Sequence, residues 1–144
     1  MLLILLGAVA TASAAIRPSE LPIASWRGKR ILVVTAHPDD AEGFSGGLVA
    51  ALQRQGGVTV EYLIVTSGNA GGRCYNDTAY YECEKEEIAF TRRKESLSAG
   101  KFLGVNRVNR LGLDDGMSIA VHETRLRRAI VAYVRRFQPH IVVT

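Results

Sequence analysis

Absences limit this sequence first. Its only two cysteines are Cys74 and Cys83, and two sulfurs alone make no zinc site. Neither "GFSGG" (Gly43–Gly47) nor "GNAGG" (Gly68–Gly72) matches G-x-G-x-x-G or the Walker pattern, which disfavours a flavodoxin-like nucleotide binder. No basic run is interleaved with aromatics, so nucleic acid is not an expected partner. There is no internal repeat, and the one long apolar run, at the N-terminus, falls short of the roughly 20 residues that span a bilayer.

What remains describes one globular domain. Of the 144 residues, 47% are hydrophobic and 22% charged. A chain of that length buries roughly two-thirds of its unfolded surface. The opening "MLLILLGAVATASAA" runs from apolar to small residues, and Ala12-Ser13-Ala14 has the A-x-A form of a signal-peptidase site. Residues 1–14 are therefore expected to be a cleaved signal peptide, 15–28 a linker and 29–144 the domain. A secretory route, ending in secretion or in the endoplasmic reticulum, makes a Cys74–Cys83 disulfide reasonable chemistry. Asn76-Asp77-Thr78, between the two cysteines, is a glycosylation acceptor pattern.

The net charge of +4 is concentrated in Arg125, Arg127, Arg128, Arg135 and Arg136. Leu126, Ile130, Tyr133, Val134 and Phe137 recur there at helical spacing, which puts the arginines on a solvated outer face.

Along the chain, strand and helix patterns alternate. "RILVVTA" (Arg30–Ala36) reads as a strand buried on both faces, followed by a helix over Gly43–Gly57. Val58–Thr66 is a second strand, and Ser67 to about Glu84 a long loop. A helix over 86–104, a short strand "VNRLGL", a turn "DDGMS", a helix His122–Phe137 and a strand "HIVVT" complete the order. The expected fold is α/β: a Rossmann-like parallel sheet with helices on both faces, C-terminally incomplete because no element follows to cover "HIVVT". Ligands of such sheets bind beyond the carboxyl ends of the strands, where both "AHPDD" (Ala36–Asp40) and "TSGNAGG" (Thr66–Gly72) fall.

"AHPDD" supports two readings. His37 and Asp40, three apart across Pro38, are both good ligands for a first-row metal such as zinc, with Asp39 placed to take a proton from metal-activated water. Alternatively Pro-Asp-Asp is ordinary turn chemistry, with an aspartate capping the next helix.

"AHPDD" after a strand, with "GG" soon after in a helix, resembles the PIG-L/LmbE family of zinc-dependent de-N-acetylases. Thr66–Gly68, the run Arg92-x-x-Glu95-x-x-x-Ala99-x-x-x-Leu103-Gly104, "LGLDDG" (Leu111–Gly116) and "FQPHIVVT" are similar to that family's other signatures, in order. The resemblance extends over nearly all of Arg30–Thr144. It implies an N-deacetylase whose substrate is an N-acetylglucosamine-containing glycoconjugate or glycolipid, with membrane contact through a glycolipid and no implied oligomeric state. It also implies zinc on His37 and Asp40, Asp39 as general base and Arg92 near the substrate. Glu95 is expected to fix its helix or pair with Arg92, and Asp115 to meet a sugar hydroxyl or, the preferred reading, to form a turn.

Two departures stand out. The family pattern continues "AHPDDE", whereas this chain has Ala41 and then Glu42. The family's third ligand is a histidine beyond the "VVT" strand, a position past Thr144; His140 is expected at the opposite end of the sheet and His122 outside the ligand position. The reading from another class is therefore a non-catalytic carbohydrate-binding relative that kept the fold and lost the metal.

Overall fold

The computed structural model describes residues 3–5, 22–72, 74–75, 80–116 and 118–144. Ten elements carry the fold: β1 (Leu3–Leu5), β2 (Arg30–Thr35), α1 (Asp40–Gln55), β3 (Thr59–Thr66), β4 (Cys74–Tyr75), β5 (Tyr80–Tyr81), α2 (Lys85–Phe102), β6 (Arg107–Leu113), α3 (Ser118–Phe137) and β7 (Ile141–Val143). Five of the strands form one sheet in the order β1-β7-β2-β3-β6, and every pairing in it is parallel.

The central strands are apolar on both faces because both are covered. Ile31, Val33, Val60 and Tyr62 pack with Ala41, Val49 and Leu52 of α1 on one side. Leu32 and Leu63 point the other way and meet Tyr133 of α3, with Ile130, Val134 and Phe137 around it. The expected α/β architecture with helices on both faces is present. The five arginines of α3 are exposed, as the spacing predicts.

Several boundaries differ from the sequence expectation. The first helix begins at Asp40, not Gly43, because Asp40 and Glu42 suit the positive end of a helix dipole in its first turn. The last helix begins at Ser118, four residues before His122. The long loop carries a two-stranded antiparallel ribbon that sets Cys74 opposite Tyr81 and Tyr75 opposite Tyr80. Asn76 lies outside the described residues, as does the side chain of Cys74; no cysteine among the described residues is free.

The final strand is also not bare. Its register sets Ile141 opposite Ile31 on one side and opposite Leu3 on the other, so β1 covers the edge that the sequence leaves open. An uncovered apolar parallel strand exposes a row of unpaired N–H and C=O groups. Removal of residues 1–14 is therefore expected to uncover that edge and promote self-association. Light scattering of the shortened chain against the whole one checks this, and equal monomer fractions at matched concentration would contradict it.

Candidate metal and catalytic site

Parallel pairing brings the carboxyl ends of β2, β3 and β6 to one edge of the sheet, and a set of short hydrogen bonds laces them together. Thr66 donates to the Ala36 carbonyl twice, from its backbone N–H at 2.8 Å and its hydroxyl at 2.9 Å. The Ser67 N–H donates to the Leu113 carbonyl at 2.8 Å. Asn69 then fastens the turn after β6: its amide donates to Asp114 at 3.0 Å, and its side-chain carbonyl accepts the Asp115 N–H at 2.9 Å.

His37 sits at the centre of this edge. Its backbone N–H donates to Asp40 Oδ2 at 2.8 Å, folding the carboxylate back over the turn. The ring lies between two carboxylates, with Nδ1 3.2 Å from Asp40 Oδ2 and Nε2 2.9 Å from Asp115 Oδ1. Burial opposes protonation of the imidazole, but the hydrogen bond and charge of Asp115, followed by those of Asp40, outweigh it and raise the pKa above its ordinary value. An imidazole flanked in this way attracts positive charge, as a proton or as a metal ion.

The donor set fits zinc in kind. One imidazole nitrogen and one carboxylate oxygen converge at His37 and Asp40, both accepted zinc ligands. Asp115 meets the other ring nitrogen, so the three side chains do not close on one point. That position suits the orienting of a metal-ligating histidine. Among the described residues, no group of three His, Cys, Asp or Glu side chains is gathered to hold an ion. Among the described residues the "AHPDD" motif thus brings together one imidazole and one carboxylate, His37 and Asp40. His140 lies at the far end of the sheet, its Nδ1 accepting the Arg30 N–H at 3.0 Å, and the side chain of His122 is outside the described residues.

Asp39 is separate from this pair. It occupies the N-cap position of α1 but makes no side-chain capping bond, which removes the capping role that ordinary turn chemistry predicts. Its carboxylate is 69% exposed and accepts from Arg92 Nη2 at 3.3 Å. Arg92 crosses from α2 and reaches it past Gly68, whose positive φ and missing side chain leave room for the guanidinium. The expected Glu95–Arg92 pair is not formed; Arg92 turns to Asp39 instead, and Glu95 lines the same cavity.

That cavity, about 240 Å³, lies between α1 and α2 and is bounded by Pro38, Asp39, Glu42, Arg92, Glu95 and Ala99. Ala41 points into the core, fully buried, so the carboxylate missing from position 41 is presented one residue later by Glu42. Glu42 Oε1 is buried without a hydrogen-bond partner. Its burial, with Asp39 and Asp40 nearby, raises the pKa of Glu42.

The model of the PIG-L family, described as GlcNAc-PI de-N-acetylase, matches residues 32–144. The chain belongs to the PIG-L family. It is 30% identical over 129 residues to the 1D-myo-inositol 2-acetamido-2-deoxy-alpha-D-glucopyranoside deacetylase 2 of Saccharopolyspora erythraea, covering 78% of this chain and 47% of that protein. Among solved structures it is similar to the N,N'-diacetylchitobiose deacetylase of Pyrococcus horikoshii, at 28% identity and a TM-score of 0.66, over 79% of this chain and 39% of the other. It is also similar to GalB, the 4-carboxy-2-hydroxymuconate hydratase of Pseudomonas putida KT2440, at 28% identity and a TM-score of 0.62, over 79% and 45%. This PIG-L chain spans about half the length of the curated relatives it matches.

Membership in the PIG-L family bears out the family and fold expected from "AHPDD" and its companion motifs. Two contributors to the site were missed. For Asp115 the sequence offers a sugar-hydroxyl contact or, preferably, a turn, not a bond to His37, and it does not single out Asn69. The signal available for both was position: each follows a strand whose carboxyl end lies at the same edge as His37.

Proposed function

We propose that this PIG-L family chain carries the amino-terminal half of the site of a zinc-dependent N-deacetylase acting on an N-acetylglucosamine conjugate. The observation that carries the reading is Asp39. It is a carboxylate released from capping, open to the cavity and held by Arg92, one residue from the convergent His37–Asp40 pair. The curated and structural relatives named as deacetylases of N-acetylated sugars support the same substrate class.

In this reading His37 and Asp40 hold the metal, and Asp115 keeps the imidazole in one orientation. Bound there, zinc supplies Lewis acidity that polarises an amide carbonyl and makes a water easier to deprotonate. Asp39 accepts the proton of the attacking water and returns it to the departing nitrogen, so that amide and water become acetate and amine. Arg92 fixes the direction of the Asp39 carboxylate and closes one wall of the cavity. The finer reading is a glycolipid substrate of the N-acetylglucosaminyl-phosphatidylinositol type, met at a membrane surface along the secretory route. A Cys74–Cys83 disulfide and glycosylation at Asn76 belong to it; the lack of a free cysteine among the described residues supports the disulfide.

The second reading, a carbohydrate-binding relative without activity, is favoured by the two-donor count among the described residues. Incubation of the natural gene product with N-acetylglucosaminyl-phosphatidylinositol and with N,N'-diacetylchitobiose, with acetate and free amine both measured, separates the two. Equal amounts of acetate and amine, abolished by a chelator and restored by zinc, are expected. Binding of either sugar without acetate release would establish the second reading.

A further inference from the structure

On the other flank of α2 the protein has a second, larger concavity. It measures about 520 Å³ and is walled by Phe90, Arg93 and Leu97 of α2, with Val108, Arg110 and Gly112 of β6 as its floor. Val108 and Arg110 are alternate positions of β6 and share a face of the sheet, and Gly112, with φ +67° where the strand shifts register against β3, completes the floor. Phe90 and Leu97 leave 59% and 44% of their surfaces in solvent. Nothing in the proposed chemistry uses this groove.

Its charge is of one sign. Among the described residues no carboxylate lines it, yet two guanidiniums do, and Lys94 Nζ stands 4.6 Å from the centre of the Phe90 ring. Arg110 Nε is buried with no hydrogen-bond partner. Buried donors are nearly always satisfied, and an arginine nitrogen is best satisfied by a carboxylate or phosphate. Burial, followed by the charge of Arg93, lowers the pKa of Arg110, as expected for a cation short of a counter-charge.

The strand beneath is also open. β6 pairs with β3 alone, so along its other side no strand of the described residues takes up its backbone N–H and C=O groups. An extended peptide can add to such an edge, gaining affinity from main-chain bonds and specificity from alternate side chains.

We propose that the β6 edge and the Arg93–Arg110 groove together form a docking site for an extended acidic segment of a partner protein, whose groove-facing side chains alternate aliphatic and carboxylate. The backbone of the segment would extend the sheet, its carboxylates would meet Arg110 and Arg93, and its aliphatic side chains would cover Phe90 and Leu97. The size of the groove and the exposed Phe90 and Leu97 along its α2 wall favour a peptide over a lone anion.

The test uses the whole chain and a fluorescent, end-blocked peptide in which groove-facing valine and glutamate alternate, separated by threonine. Anisotropy is expected to show saturable binding, weakened by about tenfold or more by Arg93→Glu and by Arg110→Met. Both variants should keep the wild-type melting temperature to within a few degrees. Replacing the glutamates by lysine, or methylating the amides that face β6, should abolish binding, and amide exchange along Arg107–Leu113 should slow when the peptide is bound. Four results would each overturn the proposal: no binding, equal binding of the lysine peptide, equal binding of the methylated peptide, or displacement by millimolar inorganic phosphate, which would mark a small-anion site instead.

Discussion

Asparagine at position 39 is expected to lower deacetylation by about 10²–10⁴-fold while the zinc content stays unchanged. The substitution keeps the size of the side chain and its place beside Arg92 but removes the atom that takes up a proton. Asp39 makes no cap bond and is largely exposed, so the fold does not depend on its charge. Asp40→Ala acts differently. It deletes one of two convergent donors and also the acceptor of the His37 N–H at 2.8 Å, so metal should be lost together with activity. Metal analysis of the two purified variants beside an acetate-release assay separates the roles. Loss of zinc in Asp39→Asn with retention in Asp40→Ala would reverse them.

The second large effect is expected from a single methyl group at Gly68. A Cβ built there would lie 2.6 Å from Arg92 Nη1 and 2.8 Å from Pro38 Cδ, and the residue has φ +67°. Alanine must therefore either displace the guanidinium that holds Asp39 or shift the proline between His37 and Asp39. Misplacement of about 1 Å at a reacting group costs on the order of 10²-fold in rate, and the left-handed backbone adds roughly 1–2 kcal/mol of destabilisation. Gly28→Ala is the control. Gly28 has φ +73°, and a Cβ there would meet no atom within 4 Å, so the substitution carries the backbone strain without the collision. A fall in turnover for Gly68→Ala far beyond that for Gly28→Ala, at matched folded fraction, is the expected result. Equal losses would assign the effect to stability alone and remove Arg92 from the argument.

Much of this was legible in the sequence because the local signals and the tertiary demands agree. The apolar run of β2 reads as a doubly covered strand, and it is covered by α1 on one face and α3 on the other. The site was legible where its residues are neighbours in the chain: His37, Asp39 and Asp40 sit within four positions. It was illegible where it depends on packing between distant segments. Asp115 belongs to an Asp-Gly pair that, taken locally, is a turn, and only the pairing of β3 with β6 brings it to His37. Glu42 looked like a displaced carboxylate, but the helix begins early enough for Ala41 to face the core and Glu42 the cavity. The β1–β7 pairing joins residues from the two ends of the chain, and no local pattern announces it.

The contact between His37 and Asp115 has a consequence for biogenesis. It closes a loop of 78 residues, and such non-local contacts form late because their closure entropy comes due before any reward. A nascent chain emitted from a ribosome presents His37 and Asp40 long before β6 exists to steady them. Until the segment through Asp115 has emerged and docked, the imidazole is free to turn and the site has no fixed shape. The His37–Asp40 pair thereby acquires its fixed geometry only after β6 has docked, and synthesis interrupted before β6 yields a polypeptide that bears the "AHPDD" motif without its Asp115 partner.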